Sequence, residues 1–277
     1  MQLTDTHCHL DFNKFDTDRQ EVIARAEAGG LVRLLVPGLD LKSSNDAVRL
    51  AESNPKIYAA VGFHPTDLDK FSEADFEHIK VLAGNPKVVA IGEIGLDYYW
   101  VKDETKRAFQ QEVLKRQLAF AEEIGKPVII HMREEKDAWF GAASTDLLAI
   151  LAEWQSGLLA KNHPLAERPG VLHSFNGNLE TAQRALVLGF YIGVTGPVTY
   201  KNADEKRAII AQLPLERLLI ETDSPFLAPV PHRGIRSARN EPAFVREIAD
   251  KIAALQTRNL EQVANVTTAN AARLFLW

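Results

Sequence analysis

The segment LTDTHCHLDF, residues 3–12, sets His7 and His9 one residue apart between Asp5 and Asp11. Side chains alternate along an extended chain, so both imidazoles project from one face and Cys8 from the other. Two imidazoles on one face are half of a metal site. Further donors stand at the ends of later apolar runs: His64, Glu93, His131, His173 and Asp223. Five of the eight histidines occupy such positions, while His78, His163 and His232 fall in a helical stretch, a polar insertion and a late loop. A single buried histidine is usually explained by a hydrogen bond in the core. Independent core histidines, however, have no reason to gather at the same end of different strands.

His7, His9, Glu93, His131, His173 and Asp223 outnumber the four ligands of a tetrahedral structural site, and the chain lacks the several cysteines such sites favour. Two divalent ions fit better. A pair spaced by about 3.5–4 Å activates a water for attack and stabilises the leaving oxygen. Glu93 has two oxygens and comes from the middle of the strand order, which makes it the candidate bridge. Asp223 is either a ligand or the base that takes a proton from the nucleophilic water. Four imidazoles favour zinc or another transition ion, with manganese and magnesium kept as alternatives by availability and open coordination positions.

The elements that must position these residues are eight apolar runs: LTDTHCH (3–9), LVRLLVPG (31–38), IYAAVGFHP (57–65), VVAIGEIGLD (88–97), PVIIHMR (127–133), GVLHSF (170–175), FYIGVTG (190–196) and LLIETDSP (218–225). Stretches of helical periodicity separate them: 18–29, 43–54, 72–84, 104–125, 145–159, 179–189 and 204–212, with two further helices at 242–255 and 260–276. Near-continuous Val, Ile and Leu runs suit strands buried on both faces, and regular β-then-α alternation implies parallel strands. The expectation is an α/β fold, a (β/α)8 TIM barrel, with its site at the C-terminal strand ends. An open doubly wound sheet usually carries a Gly-rich phosphate loop after its first strand, and none is present. No linker divides the chain, so residues 1–277 are expected to form a single domain. Segments 134–143 and 157–169 read as additions lying outside the barrel core.

Composition agrees with a globular enzyme: 46% hydrophobic and 25% charged residues. No apolar run approaches the roughly 20 residues of a membrane span, and no signal-peptide pattern opens the sequence. The expectation is a cytoplasmic protein with no membrane association and no obligate protein partner. Cys8, the one cysteine, reads as a small buried residue between barrel and helices. A net charge of −5 argues against a broad basic track for duplex DNA, so a phosphate substrate must be met locally.

The ordered blocks His7-x-His9, GFHPTD (62–67), IGEIGLDYYW (91–100), His131-Met132-Arg133, VLHSFNG (171–177) and ETDSPFLAPVPHRG (221–234) resemble the TatD family of metal-dependent hydrolases over nearly the whole chain. That resemblance implies a TIM barrel of the metal-dependent hydrolase type, with a divalent-metal centre and phosphodiester hydrolysis, usually as a deoxyribonuclease. Carried over by position, it implies His7 and His9 as ligands of one metal, Glu93 as the bridge, His131 and His173 as ligands of the second, and Asp223 as the remaining carboxylate. His64 resembles the family's substrate-side histidine. The two added segments depart from the pattern, as does HRGIRSARNEP, where Ile235 replaces a basic residue and a short interruption precedes Asn240.

Arg133, Arg233, Arg236 and Arg239 are expected on loops at the barrel mouth, where they would hold phosphates or stand as solvated charge. Phe63, Tyr98, Tyr99, Trp100 and Phe226 flank the site. Of these, Tyr99 and Trp100 are the best placed to stack on bases of single-stranded DNA or frayed ends, whereas Phe63 and Phe226 suit core packing equally well. A second reading keeps the metals and changes the bond, to an ester or amide, including an aminoacyl ester on tRNA. A non-catalytic scaffold would have let the ligand set erode.

Overall fold

The computed structural model describes residues 1–234 and 239–277. Eight strands, β1 Leu3–Asp5, β2 Leu31–Pro37, β3 Ile57–Val61, β4 Val88–Asp97, β5 Val128–Arg133, β6 Gly170–Leu172, β7 Tyr191–Val194 and β8 Leu218–Ile220, pair in parallel in chain order. The helices α1 Arg19–Ala28, α2 Leu41–Ser53, α3 Glu73–Ala83, α4 Glu104–Ile124, α5 Ala142–Ala160, α6 Leu179–Val187 and α7 Asp204–Gln212 separate them, and α8 Val245–Leu255 and α9 Leu260–Phe275 follow β8. This is the (β/α)8 TIM barrel that the alternation of runs implies. Among the described residues, no helix is long and apolar enough to cross a membrane.

Local chemistry explains the boundaries. Asp40, Ser72, Asp103, Asn178 and Asn259 each accept a backbone N–H of the first helical turn, and Gly125, at φ 67, ends α4 in the left-handed region. Every residue of β4 is buried, as a strand covered on both faces requires. Leu35, Ala60, Ala90, Ile129, Val171, Tyr191 and Leu219, drawn from β2 through β8, meet in one cluster, which only a barrel interior permits. Leu274 and Phe275 of α9 join that cluster. Thr268 donates to Gln2 O, and Asn270 to Leu215 O and Leu218 O, so α9 plugs the barrel at the strand N-termini. The opposite end is left to polar residues.

β1 is shorter than its apolar run, ending at Asp5. Beyond it the chain stays extended and closes the barrel against the end of β8. Thr6 N–H donates to Ile220 O at 3.2 Å, Asp223 N–H to His7 O at 2.8 Å and His9 N–H to Ser224 O at 2.7 Å. Cys8 bridges Ser224 in parallel register and is fully buried, as its alternate facing requires. The Asp5 carboxylate staples the seam, accepting the Thr222 N–H at 2.9 Å and the Thr222 hydroxyl at 2.5 Å.

Neither added segment contributes to the interior cluster, but both are built into the outer layer. Residues 157–160 extend α5, a 3-10 turn follows at Pro164–Glu167, and Leu158 and Leu165 are fully buried. The His163 ring accepts the Leu165 N–H within that turn. In the first segment, the buried Glu134 carboxylate accepts the N–H of Ala143 at 3.1 Å and of Ser144 at 2.6 Å, taking up two of the donors that open α5. Glu134→Ala is expected to leave those N–H groups unsatisfied and lower unfolding free energy by about 1–3 kcal/mol. Urea unfolding should show the loss as a lower midpoint with an unchanged slope.

Candidate metal centre

At the C-terminal end of the barrel the chain concentrates donors around one carboxylate. β4 and β5 shift register between Ile91 and Ile94, a one-residue bulge on β4 that carries Glu93. Its N–H leaves the ladder and donates to Gly38 O at 2.9 Å. Glu93 is 3% exposed. Its Oε2 lies 3.3 Å from His7 Nε2 and 3.9 Å from His9 Nε2, and its Oε1 lies 2.8 Å from His131 Nδ1, 3.5 Å from His64 Nε2 and 3.9 Å from His173 Nε2. Asp223 Oδ1 completes the other side, 3.4 Å from His9 Nε2, 3.8 Å from His7 Nε2 and 3.9 Å from His173 Nε2.

Three overlapping groups can each surround a cation: His7, His9 and Asp223; His7, Glu93 and His173; His64, Glu93 and His131. Within each group the ligand atoms lie within 4.8 Å of one another. Donor atoms bonded to a common ion at about 2.0–2.2 Å stand at such separations. The donor chemistry fits as well. His7 Nε2 and His9 Nε2 face each other at 3.3 Å, close enough for the two lone pairs of the neutral rings to bind one ion together. Six of the sequence-derived candidates, together with His64, therefore meet in one place, with Glu93 common to two groups.

Two carboxylates behind the histidines fix which nitrogen faces the centre. His131 turns Nδ1 toward Glu93 because its Nε2 is held by Asp97 Oδ2 at 3.0 Å. His173 turns Nε2 inward because its Nδ1 is held by Glu221 Oε2 at 2.9 Å. Two glycines make this possible. At Gly95, φ 149, a Cβ would collide with the backbone of His131, and at Gly193 one would occupy the place of the Glu221 carboxylate. Sequence reading missed Asp97 and Glu221, although each lies an even number of residues from a candidate ligand and so shares its face.

Charge is distributed accordingly. Burial opposes ionisation of Glu93, but His64, His7, His173 and the hydrogen bond from His131 outweigh it and hold the carboxylate well below its usual range. Burial likewise opposes ionised Asp223, and its bond with His9 and the charges of His173 and His7 outweigh it. Burial and the neighbouring His173 push His7 down to about 4. His131 and His173 go the other way: burial is outweighed by Asp97 and Glu93 at the first and by Glu221 and Glu93 at the second, raising both to about 9. His64 is lowered, by burial and then by His131.

The substrate-side expectations divide. A cavity of about 420 Å³ opens over His131, His173 and Asp223, and Arg133 lines it. The Arg133 guanidinium pairs with Asp137 at 2.8 Å and stacks 3.9 Å from the Tyr99 ring centroid, with Trp100 edge-on to Tyr99 and 66% exposed. Arg133, Tyr99 and Trp100 thus form one arm beside the cavity. Arg233 is instead exposed and stacked 3.7 Å from the Tyr200 ring, off the cavity wall. Arg239 binds Asp18 at 2.6 Å and covers Phe15, an anchor of the loop rather than a phosphate holder at the mouth. Arg236 and Ile235 lie outside the described residues. Phe63 and Tyr98 are core, whereas Phe226, 41% exposed, lines the cavity.

The family model described as TatD related DNase matches residues 4–276. The Bacillus subtilis protein YabD, named an uncharacterized metal-dependent hydrolase, is 41% identical over 273 residues, covering 99% of this chain and 98% of its own. The Edwardsiella piscicida protein named 3′–5′ ssDNA/RNA exonuclease TatD is 35% identical over 284 residues, with 99% of each chain covered. The crystal structure of YjjV, a TatD homologue from Escherichia coli, superposes with a TM-score of 0.86 at 32% identity, over 99% of this chain and 98% of that one.

Asp97→Asn and Glu221→Gln are each expected to weaken metal affinity about 10–100-fold by releasing a histidine from its required orientation. Competition with a chromophoric chelator measures this, and equal affinity in the variants would refute it. In metal-free protein, His131 and His173 are raised to about 9 from an ordinary 6.5. Their paired charges stabilise the fold fully below pH 6.5, and that contribution is lost as pH rises toward 9. Urea midpoints in chelator should fall across that window, whereas metal-loaded protein, whose ligands must be deprotonated, should not show the fall.

Proposed function

The chain belongs to the TatD related DNase family of metal-dependent hydrolases, and from that premise we propose that it is a deoxyribonuclease, removing nucleotides from single-stranded or frayed DNA ends by hydrolysis of phosphodiester bonds. The observation that carries the reading is the gathering of five imidazoles and two carboxylates into three overlapping ligand groups at the floor of a cavity. The activity named for the Edwardsiella relative supports the substrate class. We read residues 1–277 as one hydrolase unit, working in the cytoplasm.

The ligand assignment proposed is His7, His9 and Asp223 for one divalent ion and His131 and His173 for a second, with Glu93 between them. Zinc, manganese and magnesium are the candidates. When bound, such a pair supplies Lewis-acid activation of water and of the phosphate oxygens. The chain's own residues do the rest. Asp223, held ionised by His9 and its neighbours, accepts the proton of the attacking water. His64 Nδ1 stands 3.2 Å from the Thr66 nitrogen and 2.7 Å from the Thr66 hydroxyl, and its Nε2 is directed into the centre; the role proposed for it is that of the tautomer with its proton on Nε2. That N–H donates to the phosphate or to the leaving oxygen. Arg133 and the rings of Tyr99 and Trp100 hold the strand beside the cavity by charge and base stacking.

The test is hydrolysis of end-labelled single-stranded DNA by stripped protein resupplied with Mg²⁺, Mn²⁺ or Zn²⁺, beside Glu93→Ala. Metal-dependent shortening that drops at least about 100-fold in the variant is expected. A folded, metal-loaded wild type that leaves DNA intact while cleaving aminoacyl or carboxylic esters would overturn the phosphodiesterase reading.

A further inference from the structure

We propose that Lys206 is a substrate-binding residue whose ammonium holds a phosphate of the bound strand over the metal centre. This rests on the reading of the site as a phosphodiesterase. The ring of strand ends has a gap between His173, after β6, and Asp223, after β8, because β7 ends in Val194 and Thr195 and offers no charged group. Lys206 fills that sector from the first turn of α7, lining the same cavity as His131, Arg133, His173, Asp223 and Phe226.

Its environment calls for an anion. The ammonium has three donors, and Nζ spends one on Phe175 O at 2.8 Å. Among the described residues no carboxylate pairs with it, whereas Arg133, the other long basic side chain of the cavity, has a partner in Asp137. Burial alone lowers the Lys206 pKa, to about 8. An unpaired ammonium withdrawn from water is costly and is stabilised by any anion that reaches it. A phosphate spanning from the centre toward Lys206 offers several oxygens to the two free donors. The anchored Phe175 carbonyl fixes the ammonium in place, so little side-chain freedom is lost on binding.

The experiment compares wild type, Lys206→Met and Lys206→Arg, all metal-loaded, in two measurements. In calorimetric titration with thymidine 5′-monophosphate, the Met variant is expected to bind about 10-fold more weakly, the Arg variant to recover most of the loss, and uncharged thymidine to show no difference among the three. In hydrolysis of oligothymidylate, the Met variant should raise KM by a similar factor with kcat within about twofold. Its log KM against log salt slope should fall by about 0.7, one phosphate contact on a single strand. Unchanged monophosphate affinity in Lys206→Met, or no monophosphate binding by wild type, would overturn the proposal. If wild type cleaves no DNA yet loses monophosphate affinity on substitution, the role of Lys206 stands and the nuclease reading falls. Thermal melting of each variant separates these outcomes from loss of fold.

Discussion

A parallel barrel has to close, and in this chain the closing hydrogen bonds run through the residues that form the centre. Asp223 N–H donates to His7 O, His9 N–H donates to Ser224 O, and the Asp5 carboxylate grips Thr222 from below. Side-chain donors on the two sides of the seam are therefore positioned by backbone geometry rather than by each other. Asp5 holds this position at a cost, since burial raises its pKa to about 7 despite the Thr222 and His7 hydrogen bonds. The nearby Glu221 carboxylate adds to that rise.

Around the seam, charge is arranged in two layers. The inner layer is Glu93, Asp223 and the imidazole nitrogens that face them. The outer layer is Asp97 and Glu221, which hold His131 and His173 from behind. Without a metal the two histidines carry protons and act as the cations of the centre; as ligands they would give those protons up. Positive charge thus faces the carboxylates in the metal-free protein through the two imidazolium rings, and would come from the ion in the metal-loaded one. This is how a cluster of buried carboxylates avoids the penalty of unpaired charge.

Much of this was readable in the sequence because strand-end polar residues after apolar runs are rare and directional. The barrel follows from eight such runs, and His7, His9, His64, Glu93, His131, His173 and Asp223 follow from their ends. What escaped did so for physical reasons. Asp97 and Glu221 stand on strands already credited with a donor, and their role depends on the ring orientation of a histidine on another strand. Lys206 comes from a helix, where period and charge say only that the turn is polar. Arg239 looks like its neighbour Arg233 in sequence, but long-range partners, Asp18 and Phe15, decide its place.

The seam also dictates when the centre can exist. His7 and Asp223 are separated by almost the whole barrel, and neither His7–His9 nor Asp223 has a complete donor set alone. On a ribosome the amino-terminal histidine pair emerges early and waits through the synthesis of seven further strands before its partner carboxylate appears. The centre is thus an indicator of finished topology: a chain stalled before β8 exposes an isolated His-x-His and cannot assemble the group formed by His7, His9 and Asp223. Any ion capture at that group would belong to the end of folding, after the parallel pairing of the segment following β1 with the segment following β8 has formed.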